Sequence, residues 1–230
     1  MSAAASALSR SLRTEMSKLA NPARAKVMRA YMKSTMPYYG LSLPQVRGVC
    51  KEVFSEREPG SCAGWKSAVL ELWRGARHRE ERHAALYLLR EKRYRECVGP
   101  GLMPMIEEMV ETGAWWDLVD ELVHTVGGLL RAHPKEIKPV MRAWSTDSNM
   151  WKRRVAIICQ LSFKGDTDLE LLYANVEPNL GDREFFVRKA IGWALRQYAH
   201  TDPKEVARYV REHEAELSGL SRREALKNLS

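Results

Sequence analysis

The stretch WWDLVDELV, residues 115–123, sets Leu118, Val119, Leu122 and Val123 at helical spacing behind two tryptophans and two aspartates. That spacing predicts an amphipathic helix rather than a strand. Three other stretches align with it: ERHAALYLL (81–89), KRRVAIICQ (152–160) and VRKAIGWAL (187–195). His83, Leu118, Arg154 and Lys189 then fall at matching positions, at intervals of 35, 36 and 35 residues. This is the length of a two-helix repeat, in which neither helix can bury its apolar stripe without the next repeat. The expected fold is all-α: one domain over residues 1–230, a solenoid of HEAT-like two-helix repeats with a concave groove lined by one helix of each pair.

The rest of the chain reads the same way. NPARAKVMRAYMKS offers Asn21 as an N-cap with Pro22 at the first helical position, and LPQVRGVCKEVF starts from Pro44 in like manner. Helical periodicity continues through GWKSAVLELWRGA, LMPMIEEMVET, EIKPVMRAW, TDLELLYANV, PKEVARYVREHEAEL and SRREALKN. The opening MSAAASALSR has no apolar h-region, and no segment has the roughly 18 uninterrupted apolar residues of a membrane span. Cys50, Cys62, Cys97 and Cys159 form no C-x-x-C pair. They are expected to be reduced and mostly buried, in a cytoplasmic protein.

The formal net charge is +8, and its location says more than its size. Residues 1–50 hold eight basic residues (Arg10, Arg13, Lys18, Arg24, Lys26, Arg29, Lys33 and Arg47) against one acidic residue, Glu15. Such asymmetry points to a polyanion or an anionic membrane surface, with a solvated basic face as the plainer alternative. If the partner is a polyanion, the N-terminal helices form one wall of a basic groove.

Trp116 and Asp120 are four residues apart and so share a helix face, one turn from each other. Arg154 and Trp193, one turn beyond Lys189, lie on the aligned helices of the next two repeats. The groove would therefore present tryptophan, aspartate, arginine and tryptophan side by side. The competing reading makes Trp116 and Trp193 core residues and Asp120 a surface carboxylate. Nothing else in the chain suggests a reactive centre. The six histidines show no metal-ligand spacing, and Gly127-Gly128 has neither the preceding strand nor the following lysine of a phosphate loop.

Taken in order, YMKSTMPYYGL, WWDLVD, the SDSNMW-like segment before Arg154 (STDSNMW here), EFFVRKAIGWALRQYA and LSRREALK resemble the AlkD-type DNA glycosylases of the DNA alkylation repair family, built of HEAT-like repeats. The resemblance spans nearly the whole chain. It implies excision of N3- or N7-alkylated purines from double-stranded DNA, with no cofactor, no metal and no membrane, by a monomer working on the nucleoid. The family's functional positions fall on Tyr31, Trp116, Asp120, Arg154 and Trp193. Asp120, Trp116 and Trp193 would be catalytic. Arg154, Tyr31, Arg153, Arg188, Lys189 and Arg47 would contact DNA, with Arg154 clamping a phosphate. Arg153 and His124 look like local departures from the pattern.

The chemistry is consistent with this set. A purine alkylated at N3 or N7 is cationic and leaves as a neutral base without a general acid, so one carboxylate suffices to stabilise the positive charge developing on the sugar. No lysine lies near the aspartates for Schiff-base chemistry, which favours a monofunctional hydrolase over a strand-nicking lyase. Two other readings stay open: a non-catalytic relative that binds unusual DNA structures, and a helical scaffold whose groove takes acidic peptides.

Overall fold

A computed structural model describes residues 3–229, and the described residues form thirteen α-helices and four short 3-10 turns with no strand. The all-α expectation holds. No helix among them is long and apolar enough to cross a membrane. Where the sequence suggests one domain, the chain divides into two compact units, one ending at Val98 and the other starting at Gly99.

The first unit contains α1 (Ala3–Lys18), α2 (Pro22–Tyr31), α3 (Leu43–Glu56), α4 (Cys62–Arg74) and α5 (Arg79–Leu89). Helix α1 was not foreseen, because its serines and alanines mask a stripe one turn apart. Leu8, Leu12 and Met16 lie on that stripe, and all three are buried, where α1 packs on α3 and α4. Each such side chain contributes about 1.5–3 kcal/mol. Trp65 and Trp73 complete the core, and the Trp65 indole donates to the Leu88 carbonyl at 2.8 Å. Helix α3 starts one residue before the expected Pro44, from a capping box between Ser42 and Gln45.

Helix α2 is different: it buries none of its residues. What holds it is a strap. The Asn21 amide donates to the Tyr39 carbonyl at 2.8 Å, and Gly40, at φ +89°, passes so close to the Asn21 carbonyl that a Cβ there would overlap it. Buried Glu80 fixes the strap by accepting from the amides of Tyr39, Gly40 and Leu41 at 3.1, 2.8 and 3.1 Å. Its neighbour Glu81 accepts from the Tyr39 hydroxyl (2.8 Å), Arg13 Nε (3.0 Å) and the Arg77 amide (3.1 Å). Both buried carboxylates are thus satisfied by hydrogen bonds, which their burial requires.

One cysteine expectation is overturned. Cys62, at the start of α4, and Cys97, at the end of a 3-10 turn, approach to 5.3 Å between Cα atoms and form a disulfide. The pair was illegible because 35 residues separate its members and only the fold brings them together. Cys50 and Cys159 are free and buried as expected, and burial pushes the Cys159 thiol up to about 12.

The second unit pairs α6 (Met103–Gly113) with α7 (Trp116–Ala132), α8 (Pro134–Ser145) with α9 (Met150–Ile158), and α12 (Pro203–Glu212) with α13 (Gly219–Leu226), and adds α10 (Leu169–Val176) and α11 (Phe185–Ala199). Helices α7, α9, α11 and α13 pack in succession as one row, with α8 against α10 behind it. This is the alternation that the repeat interval predicts. Two glycines let the row close up. A Cβ on Gly127 would stand 2.9 Å from the Cys159 carbonyl, and one on Gly192 would overlap Glu224 Cβ and lie 2.9 Å from the Ser221 carbonyl. Gly128 is not used in this way, since nothing lies within 4 Å of its would-be Cβ.

Candidate active site

The turn between α6 and α7 sets the site. Ala114 adopts a left-handed conformation (φ 40°) that ends α6, and Trp115 is extended at the N-cap of α7. The chain reverses there, so Trp116 opens α7 at the surface, 36% exposed. Trp115 turns the other way, into an aromatic cluster with Trp151 (6.2 Å between centroids) and Phe186 (5.4 Å). Phe185, 51% exposed, meets Phe186 edge-on at 5.3 Å. The paired tryptophans therefore divide the labour, one in the packed wall and the other at the surface.

Asp120 lies one turn into α7 from Trp116 and is gripped by Arg154 of α9. Arg154 Nε donates to Oδ1 and Nη2 to Oδ2, both at 2.7 Å, while Nη1 donates to the Phe186 carbonyl at 2.7 Å. The arginine side chain is 6% exposed and the aspartate side chain 19%. Its guanidinium carbon lies 5.8 Å from the Trp193 ring centroid and 6.0 Å from that of Phe186. Arg154 thus ties Asp120 on α7 to the Phe186 and Trp193 rings of α11. A fork of this kind fixes the carboxylate plane as a single hydrogen bond cannot.

Lys152 anchors the start of α9. It is buried and reaches Glu107 at 2.5 Å and Glu111 at 2.7 Å on α6, and Asp147 at 3.3 Å in the preceding turn. These carboxylates on α6 and the preceding turn pin the start of α9 and so limit how far Arg154 can drift.

The expected DNA-contact residues fare unequally. Arg154 turns its donors inward, to Asp120 and the Phe186 carbonyl. Arg153 is likewise engaged, with Asp182 (3.2 and 2.9 Å) and the carbonyls of Asp147 (2.8 Å) and Ser148 (3.0 Å). Lys189 pairs with Glu224 at 2.8 Å, and Glu224 also takes Arg196. Arg188 is half-buried, with its Nε shielded from solvent and without a partner. In the first unit, Tyr31 ends α2 at 77% exposure. Arg47 is exposed, its guanidinium 5.3 Å from the Tyr87 ring centroid. Of the N-terminal cations, Arg13 pairs with Glu81 and Lys18 with Glu15, whereas Arg24, Lys26 and Arg29 are exposed on α2.

Sequence reasoning missed Phe185 and Phe186. Their adjacency just ahead of VRKAIGW was the available signal, since it mirrors Trp115-Trp116 at the start of another helix in the same row. His124, one turn beyond Asp120, is exposed. No group of three or more His, Cys, Asp or Glu able to hold a metal ion occurs among the described residues.

Residues 12–229 match the model of a family described as DNA alkylation repair enzyme. Among solved structures, the chain is similar to a predicted DNA alkylation repair enzyme from Enterococcus faecalis, at 29% identity and a TM-score of 0.76, over 92% of this chain and 97% of that one. A search of curated proteins found no match. Since the family model covers nearly the full length, the chain belongs to the DNA alkylation repair enzyme family.

Proposed function

We propose that this member of the family is a monofunctional DNA glycosylase that hydrolyses the N-glycosidic bond of cationic N3- or N7-alkylated purines in duplex DNA. The observation that carries the reading is the Asp120 carboxylate, held by a fork from buried Arg154 beside exposed Trp116 and half-buried Trp193. A surface carboxylate with no task needs no such frame, and two tryptophans flanking a carboxylate suit a cation that forms during reaction.

The steps follow from charge. The alkylated base leaves neutral, positive charge grows on the deoxyribose, and Asp120 faces it and orients the attacking water. Trp116 and Trp193 offer the electron-rich faces of their rings and exclude water that would screen the carboxylate. Arg154 is a positioning residue whose charge also weakens the effect. A carboxylate about 4 Å from the developing cation contributes roughly 4 kcal/mol at an effective dielectric of 20, and a guanidinium about 6.5 Å away subtracts about 2.5. The net of about 1.5 kcal/mol corresponds to roughly tenfold in rate. That modest factor suits a bond already weakened by the cationic base.

Phosphate contacts in this reading come from the exposed cations of α2 and from Arg47, with Tyr31 packing against the strand. The HEAT-like character of the repeats, a monomeric state and a cytoplasmic, nucleoid-associated place of action belong to the same proposal. The test is release of free base from duplex DNA containing N7-methylguanine. Wild-type protein should release it, and no release under conditions where the same duplex binds would leave a non-catalytic DNA binder.

A further inference from the structure

Helices α12 and α13 enclose an open groove of about 570 Å³ that the glycosylase reading does not use. Ala207, Val210 and Leu226 give it an apolar floor, with Leu226 38% exposed, and Arg211, Arg223 and Lys227 stand exposed around it. The groove also holds an internal pair, Arg222 to Glu214 at 2.7 Å, so its one carboxylate is already taken. Arg211, Arg223 and Lys227 make no ion pair among the described residues. The volume falls in the range of clefts that take ligands, about 300–1,000 Å³.

Arg223 folds back over the first turn of α13, its Nη1 3.3 Å from where a Cβ on Gly219 would stand. That places its charge over the groove beside those of Arg211 and Lys227, which an anionic occupant offsets. The apolar floor bears on its shape. A sugar-phosphate backbone offers only the small hydrocarbon of its deoxyribose to fill it, and a free inorganic anion would leave most of the volume empty.

We propose that the α12–α13 groove is a docking site for an acidic peptide segment of a partner protein, with an apolar side chain seated over Val210 and Leu226 and carboxylates on Arg211, Arg223 and Lys227. An apolar anchor in a pocket, ringed by complementary charge, is the usual layout of such sites. None of the residues that line the groove belongs to the Asp120 site, so docking tethers the protein to its partner without entering the chemistry.

The test uses fluorescence anisotropy with the full chain and three labelled probes: a short peptide alternating Asp and Leu, its counterpart alternating Asp and Ser, and an undamaged duplex. The Asp–Leu peptide should bind best. Arg211→Glu combined with Arg223→Glu should weaken it at least roughly tenfold, as should Leu226→Asp, with base excision unchanged in both. Arg211→Gln alone, at an exposed position, should give a smaller loss in the same direction and guards against misfolding of the double variant. Equal binding of the Asp–Ser peptide, affinity unchanged by these variants, or loss of duplex binding in step with peptide binding would each overturn the proposal.

Discussion

Arg154 and Asp120, 34 residues apart in sequence, face each other across α7 and α9 with two parallel hydrogen bonds of 2.7 Å. The arginine is the more buried partner, and this asymmetry decides what each does. Arg154 is enclosed by Phe186 and Trp193 and can only hold; Asp120 retains solvent access and can face a substrate.

Asp120→Asn should lower excision of N7-methylguanine roughly tenfold while leaving duplex affinity equal or slightly higher. The amide keeps the shape and one acceptor for Arg154, but removes the charge opposite the developing sugar cation and some repulsion from phosphates. Single-turnover excision and a gel shift on the same preparation read the two effects separately. Wild-type excision rates in a folded Asp120→Asn protein would falsify the assignment.

Reduction should destabilise the first unit. The Cys62–Cys97 bond closes a 35-residue separation, and in the chain-entropy view a loop of this size contributes about 4 kcal/mol. Thermal melts with and without dithiothreitol check this, and Cys62→Ser should melt at the same lowered temperature under both conditions. Identical wild-type melts in oxidant and reductant would show that the bond contributes nothing.

The fold was legible where periodicity was strong. The repeat interval located the row α7, α9, α11, and single helix faces placed Trp116 beside Asp120. The failures have local physical causes. Serines and alanines hid the Leu8–Leu12–Met16 stripe of α1, and the Cys62–Cys97 bond depends on contacts between distant segments. The resemblance implies a phosphate contact for Arg154, and no sequence pattern shows that its donors reach Asp120 and the Phe186 carbonyl or that Phe186 and Trp193 flank it. Tyr31, expected to contact DNA, ends a helix that buries none of its residues and is itself exposed.

Gly192→Ala should damage the site from behind. A methyl group there collides with Glu224 Cβ and the Ser221 carbonyl, and overpacking of this kind costs about 1–3 kcal/mol. Because Trp193 is the next residue, α11 would relieve the clash by shifting the ring beside Arg154. Both the melting temperature and the excision rate should fall, the latter without loss of duplex binding. A Gly192→Ala protein with wild-type stability and rate would mean that α11 and α13 do not approach as closely as described.

Arg154→Ala separates a positioning role from a phosphate clamp. If the guanidinium contacted a phosphate, its loss would weaken binding to damaged and undamaged duplex alike and shrink the slope of log K against log salt by about 0.9. The inward geometry predicts otherwise: the salt slope stays unchanged, and excision falls because the Asp120 carboxylate loses its fixed plane. Stability should also drop, since Asp120 and the Phe186 carbonyl both lose a charged donor. Arg154→Lys distinguishes geometry from charge, because an ammonium restores the charge but cannot make the fork. Its rate should stay well below wild type at wild-type duplex affinity, whereas full rescue by lysine, or a salt slope reduced by one contact, would return Arg154 to the phosphate backbone.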